Sequence, residues 1–161
     1  MSALFTAWNA SHTRRWHACT SYALQSSNDP VGAHSGRMAI LAHQLWPDDT
    51  GLMIACLYHD LPESVTGDVP SEAKAENPEL RAALCDAEAK IAAENGWPIG
   101  SGDHLKFLDR LDAYLWMLRV APAEQLNPDW MRAHDWLLQQ AAWLDVAEKI
   151  NPLLIRWGLD R

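Results

Sequence analysis

The chain has 161 residues, of which 48% are hydrophobic and 21% are charged, enough for one globular domain with a sizeable core. Its formal net charge of −8 at pH 7 argues against nonspecific binding of nucleic acid, which normally requires a basic stripe. The sequence contains no apolar run of membrane-spanning length and no signal-peptide pattern, and its three cysteines are far apart, so we expect a reduced, cytoplasmic protein.

The first notable stretch follows a short helix predicted over residues 2–9. It reads Arg14-Arg15-Trp16-His17, two guanidinium groups beside an indole and an imidazole. Such a stretch can be a solvated basic turn with one anchoring tryptophan. It can also be a phosphate clamp beside a flat apolar surface for a base or a sugar.

A helix is predicted over about residues 31–45, after a loop rich in Ser, Asn, Asp and Pro. His34, Met38, Leu41 and Leu45 recur at the spacing of one helical face. His34 therefore lies on the stripe that faces the core. Taken alone, a histidine at such a position is more often a satisfied core residue than a metal ligand.

The next apolar run begins after the N-capping acids at 48–49 and ends in His59-Asp60. Pro62 is expected to kink or end this helix near that pair. Ionised acids are costly to bury without compensation, and a metal ion supplies it. On a continuous helix His59 and Glu63 would share a face, so we expect His59 and Asp60 to reach one ion with Glu63 near its open position. Asp68 lies in the following turn, either near the mouth of this site or as a turn-stabilising residue.

Three more helices complete the chain. One is predicted from Asn77-Pro78 to about residue 94, and one follows a cap at Ser101. The latter carries a leucine stripe with Asp109 at its border, while Asp112 is farther round, either solvated or behind the ligands.

The last helix is predicted over about 128–150, with Trp136, Trp143 and Ile150 recurring every seven residues, which indicates packing in the core or in a dimer interface. No segment alternates polar and apolar residues over strand length. The sequence therefore predicts an all-α fold of six or seven helices in a single domain spanning 1–161.

Four candidate ligands lie on three separate helices, each on or beside a buried face: His34, His59, Asp60 and Asp109. Two imidazoles and two carboxylates suit a divalent transition metal.

A family resemblance is carried by His-Ser at 34–35, His-Asp-Leu-Pro-Glu at 59–63, Thr-Gly-Asp at 66–68, Pro70 and Lys74. These motifs resemble the HD-domain metal-dependent phosphohydrolases. The chain is most similar to the branch that holds bacterial 5′-deoxynucleotidases and compact phage dNTP triphosphohydrolases, including a dATPase. The resemblance covers about residues 14–118 and implies an HD-type helical bundle. Residues beyond 120 carry no motif of the family.

The resemblance implies four metal ligands: His34, His59, Asp60 and Asp109. It implies that Glu63 and Asp68 position or activate the attacking water. Arg15 would hold phosphate, Trp16 would pack on the deoxyribose and disfavour a 2′-hydroxyl, and Lys74 would lie near phosphate. The implied cofactor is a transition metal such as Co, Mn, Zn or Fe, with Mg as an additional ion.

The chain departs from the family pattern at two positions. Ala33 stands where the family usually has Glu before the His-Ser pair. His17 stands where the deoxynucleotidases often have Pro after Arg-Trp, and in this respect the chain is similar to the phage enzymes.

The resemblance implies hydrolysis of a 2′-deoxynucleotide at its α-phosphorus. On Arg-Trp-His and the short chain, we favour a dNTP triphosphohydrolase of the phage dATPase type, releasing deoxynucleoside and triphosphate. The alternative is a 5′-deoxynucleotidase that releases phosphate from dNMPs. A nucleotide-sensing module without turnover and a helical nucleic-acid adaptor are less favoured.

The expected partners follow from this function. They are a small-molecule deoxynucleotide substrate and further copies of the chain, as a dimer or higher homo-oligomer, with no nucleic acid and no membrane. The location expected is the bacterial cytoplasm, or the host cytoplasm if the protein is phage-encoded.

Overall fold

The computed structural model describes residues 2–154. Residue 1 and residues 155–161 of the predicted domain therefore lie outside the described part. The α-helices are α1 Ala3–Ala10, α2 Tyr22–Ser26, α3 Val31–Leu45, α4 Thr50–Tyr58, α5 Glu63–Thr66, α6 Ser71–Glu76, α7 Pro78–Asn95, α8 Asp103–Val120, α9 Pro128–Trp143 and α10 Ala147–Ile150. Two 3₁₀-helices, Pro122–Leu126 and Asn151–Leu154, flank the last two. The described residues form no strand, which confirms the all-α prediction, and six of the helices have eight residues or more.

Side-chain caps define where several helices begin. The Asp49 side chain accepts a hydrogen bond from the Leu52 N–H at 2.8 Å at the start of α4. Asn77 caps α7 in the same way, and Gly96 ends that helix in the left-handed conformation at φ 67°. The predicted cap at Ser101 is wrong, because α8 begins after Gly102, whose φ of 125° suits glycine and which offers no side-chain cap.

The main core lies between α3, α4, α8 and α9, with α10 closing one end. Its fully buried larger side chains include Met38, Phe107, Leu111, Met117 and Leu137. A second, smaller cluster joins α1, the start of α3 and the end of α7, and it consists of Ala10, Val31, Leu61, Ala92 and Trp97. His34 lies on α3 between Val31 of the small cluster and Met38 of the main core, so the buried stripe of α3 carries it into the interior.

The predicted helix over 128–150 is divided in the structure. The helix α9 ends at Trp143, and Asp145 takes a positive φ of 58° before α10 begins. Because the chain turns there, the seven-residue repeat does not stay on one helical face. Trp143 is 65% exposed, whereas Ile150 is buried.

The described helices are also informative about membranes. Among residues 2–154, no helix is both long enough and apolar enough to cross a bilayer.

Candidate metal centre

Four side chains from three parts of the fold meet at one point. His34 comes from α3, His59 and Asp60 directly follow α4, and Asp109 comes from α8. One ligand atom from each lies within 4.8 Å of all the others. The Nε2 atom of His34 is 3.4 Å from an Asp60 oxygen and 3.3 Å from an Asp109 oxygen, and His59 Nε2 is 3.1 Å from the other Asp60 oxygen.

Both imidazoles are oriented by the nitrogen that faces away from this point. His34 Nδ1 donates to the Asp112 carboxylate at 2.7 Å, and His59 Nδ1 donates to the Cys56 carbonyl at 2.9 Å. In the neutral rings each Nε2 therefore carries a lone pair. Both Nε2 atoms are buried and form no hydrogen bond, although carboxylate oxygens lie nearby. Buried Nε2 atoms that face two carboxylates without forming a well-directed hydrogen bond fit a divalent cation, since ligating histidines are held in this way by their other nitrogen.

Without an ion, protons compensate the charges of the cluster. Burial and the Arg15 charge lower the pKa of His34, but Asp109, Asp112 and Asp60 outweigh them and raise it to about 10. Burial raises the pKa of Asp60, yet His59 and His34 hold it well below its usual range. The acids of the cluster are thus ionised and in need of positive charge, as a cation site requires.

Three charged residues, Asp29, Arg37 and Asp112, form a network behind the cluster. The sequence left Asp112 as either solvated or behind the candidate ligands, whereas Asp29 and Arg37 were not identified. Asp112 is buried and accepts hydrogen bonds from Arg37 Nε at 2.7 Å and from His34. Arg37 also donates to Asp29 at 2.8 Å, and Asp29 is completely buried. A signal for part of this network was present. Arg37 and Asp112 each lie three residues after a candidate ligand, His34 and Asp109 respectively, and so one turn further along the same two helices.

The predicted phosphate-binding arginine reaches the cluster. Arg15 is buried, with its guanidinium 3.3 Å from Asp29, 3.8 Å from Asp109 and 3.9 Å from Asp112. The guanidinium group also lies 4.9 Å from the ring centroid of Trp16. The pair therefore presents one cation and one aromatic ring at the edge of the cluster.

Asp68 lies next to this pair. Its carboxylate accepts a hydrogen bond from the backbone N–H of Trp16 at 2.7 Å. The contact ties the turn after α5 to the Arg15-Trp16 segment. The predicted part of Asp68 in handling water remains a prediction.

The shared helical face expected for His59 and Glu63 on a continuous helix is not observed. The helix α4 ends at Tyr58, and Glu63 begins the separate helix α5. Its side chain is nevertheless buried, one carboxyl oxygen has no hydrogen-bond partner, and the other lies 4.0 Å from the Lys74 ammonium. Burial together with the charges of Asp60 and Asp68 raises the pKa of Glu63 to about 10. A carboxyl group in this state can hold a proton at neutral pH and release it to a partner.

A cavity of about 340 Å³ opens beside two of the candidate ligands. It is lined by His59, Ser101, Gly102, Asp103, Leu105, Lys106 and Asp109. Lys106 was not among the predicted site residues, and it places a cation three residues before Asp109 on α8. The cavity gives a small molecule access to the cluster.

A comparison with known protein families finds a match. A family model described as YfbR-like, 5′-deoxynucleotidase YfbR-like, matches residues 11–96. The matched stretch contains the predicted site residues except Asp109. Neither a curated protein nor a solved structure gives a significant match.

Proposed function

The chain belongs to the YfbR-like 5′-deoxynucleotidase family, a family of HD-domain phosphohydrolases, and we propose that it hydrolyses the 5′-phosphate ester of 2′-deoxynucleoside monophosphates. The reaction releases a deoxynucleoside and inorganic phosphate. His34, His59, Asp60 and Asp109 would hold the divalent ion that the reaction needs. A transition metal suits their mixed nitrogen and oxygen donors.

The observation that carries this proposal is the pair of buried imidazoles whose Nε2 atoms form no hydrogen bond. They lie beside two ionised carboxylates and within reach of a buried arginine. A core histidine kept only for packing would have both nitrogens satisfied or one in solvent. A bound divalent ion would supply Lewis-acid polarisation of the phosphoryl group.

Each of the neighbouring side chains has a place in this chemistry. The Arg15 guanidinium stabilises negative charge that develops on the phosphoryl oxygens. Glu63, through its unpartnered carboxyl oxygen, orients the attacking water and exchanges a proton with it. Trp16 offers an apolar surface to the sugar, against which a 2′-hydroxyl would lose its hydration. Lys74 stays close to Glu63 and balances its charge when the proton has left.

A second candidate substrate is the deoxynucleoside triphosphate, cleaved at the same phosphorus with release of triphosphate. The Arg15-Trp16-His17 sequence favours it, and Lys106 at the cavity beside the cluster adds a cation for a longer phosphate chain. The family match supports the monophosphate. We therefore propose the triphosphate only as the second candidate substrate.

A substrate panel separates these functions. Purified protein, stripped of metal and reloaded in turn with Co²⁺, Mn²⁺, Zn²⁺ and Mg²⁺, is incubated with the four dNMPs, the four dNTPs and the matching ribonucleotides. Phosphate release from dNMPs supports the first proposal, and triphosphate release from dNTPs supports the second. Tight nucleotide binding without any product identifies a sensing module and overturns both.

A further inference from the structure

We propose that Trp130, in the first turn of α9, is a positioning residue for Trp16 and thereby sets how strongly the site prefers a 2′-deoxyribose. The inference rests on the proposed function for its substrate. It assigns a part in specificity to a helix outside the family-matched residues 11–96.

The backbone at Trp16 is held in an unfavourable conformation. Its φ of 67° lies in the left-handed region, which is unfavourable for a residue with a bulky side chain. The backbone N–H donates to Asp68 at 2.7 Å, and the indole Nε1–H donates to Asp29 at 3.0 Å. The strain is therefore opposed by contacts that fix both the backbone and one edge of the ring.

Trp130 supplies the apolar part of this support. The rings of Trp16 and Trp130 lie 6.1 Å apart between centroids, with 44° between their planes, a tilted arrangement that aromatic pairs favour. Trp130 is half-buried, so its own position depends on the side chains that it packs against in the core. There it packs on Tyr114, with centroids 6.2 Å apart.

Tyr114 connects this aromatic row to the candidate metal centre. It is fully buried on α8, five residues after Asp109 on the same helix. Trp16, Trp130 and Tyr114 therefore form a row of ring contacts. This row sets how far the Trp16 indole, which faces the sugar, lies from α8, the helix that carries Asp109. Loss of Trp130 leaves the indole tethered at Nε1 but free to tilt, and a tilted indole excludes a 2′-hydroxyl less well.

The first arm of the test measures sugar discrimination. Trp130→Leu keeps an apolar side chain and removes the ring, Trp130→Phe restores a ring, and Leu138→Ala is the control. Leu138 is also partly buried against the core, about 12 Å further along α9. We expect the ratio of kcat/KM for deoxy- over ribonucleotide to fall roughly fivefold in Trp130→Leu, mainly through a lower KM for the ribonucleotide. Trp130→Phe recovers most of this ratio, and Leu138→Ala keeps it.

The second arm does not depend on activity. In ¹⁵N-labelled protein the Trp16 indole N–H resonance, assigned by its loss in Trp16→Phe, reports the hydrogen bond to Asp29. We expect it to shift and to lose exchange protection in Trp130→Leu and to stay in place in Leu138→Ala. An unchanged resonance overturns the positioning role whether or not the protein is a nucleotidase. A shifted resonance with unchanged sugar discrimination overturns the role in specificity, and a shifted resonance in a protein that hydrolyses no nucleotide contradicts the proposed function alone.

Discussion

Asp112 accepts a hydrogen bond from His34 Nδ1 at 2.7 Å, across 78 positions of sequence. The same carboxylate receives two hydrogen bonds from Arg37, so it is itself held in place. The orientation of a candidate metal ligand is thus fixed by residues that do not belong to the ligand set. This relationship supports a prediction about metal affinity.

Replacing Asp112 with Asn is expected to lower metal affinity about 10- to 100-fold, because the acceptor that fixes the ring and raises its basicity becomes weaker. Titration of the metal-free protein with Co²⁺ measures the effect. Asp86→Asn, an exposed acid on α7, is the matched control and should bind as the wild type does. Equal affinities in the two variants would show that Asp112 does not support the ligand.

Metal binding is expected to release a proton and to strengthen as the pH rises. In the metal-free protein the pKa of His34 is about 10, so its imidazole is protonated at neutral pH and an ion must displace that proton. Apparent affinity should rise about tenfold per pH unit for one displaced proton and level off near the folded pKa. Calorimetric titrations in two buffers of different ionisation enthalpy count the protons released.

The folding stability of the metal-free protein is expected to fall as the pH rises, whereas metal affinity is expected to rise. The protonated His34 stabilises the fold fully below the unfolded pKa of about 6.5, and this contribution is lost as the pH rises toward about 10. For metal binding, an affinity that does not change with pH and releases no proton would contradict the displacement of a proton from His34.

Glu63→Gln is expected to reduce kcat about 10²- to 10⁴-fold while metal affinity changes little, because the amide cannot exchange a proton with the attacking water. Steady-state phosphate release and Co²⁺ titration on the same preparation separate the two effects. Glu94→Gln, an exposed residue paired with Lys90, serves as the control. Near-normal turnover in Glu63→Gln would remove Glu63 from the proton-handling role.

Gly100→Ala is expected to destabilise the fold by about 1–3 kcal/mol, since the added Cβ would lie 2.4 Å from the Ala55 Cβ of α4 and the packed helix must shift. Gly36→Ala is the matched control: its Cβ meets open space within α3, so stability should rise by about 0.5–1 kcal/mol. Urea unfolding of both variants measures the difference. A neutral Gly100→Ala would show that α4 is not closely packed there.

Local chemistry explains why the helices could be predicted from sequence. The helix over 31–45 has a clear apolar stripe, and the one from Asn77-Pro78 has a capping side chain and a terminal glycine. Both were predicted within a residue or two. The predicted cap at Ser101 was wrong because the chain stays non-helical through Gly102, whose φ of 125° suits glycine. The turn at Asp145 that ends the tryptophan repeat carried no glycine or proline to mark it.

The site was predictable where a ligand belongs to a motif or a buried stripe. The sequence placed His34, His59, Asp60 and Asp109 on three separate elements, and the structure brings them together. Asp29 was missed because an aspartate before proline in a loop looks like ordinary turn chemistry, and Arg37 was missed because its partner Asp112 lies 75 positions away in the chain. Trp130 was missed for the same reason, since its contact with Trp16 depends on how α9 docks.

The most direct measurement of the central claim is phosphate release from deoxynucleoside monophosphates by three matched samples: metal-reloaded wild type, metal-stripped wild type and metal-treated Asp60→Ala. We predict turnover in the first alone, with Asp60→Ala keeping its helical circular dichroism while losing bound metal. Turnover that persists in Asp60→Ala or in the stripped protein would contradict a metal centre at His34, His59, Asp60 and Asp109.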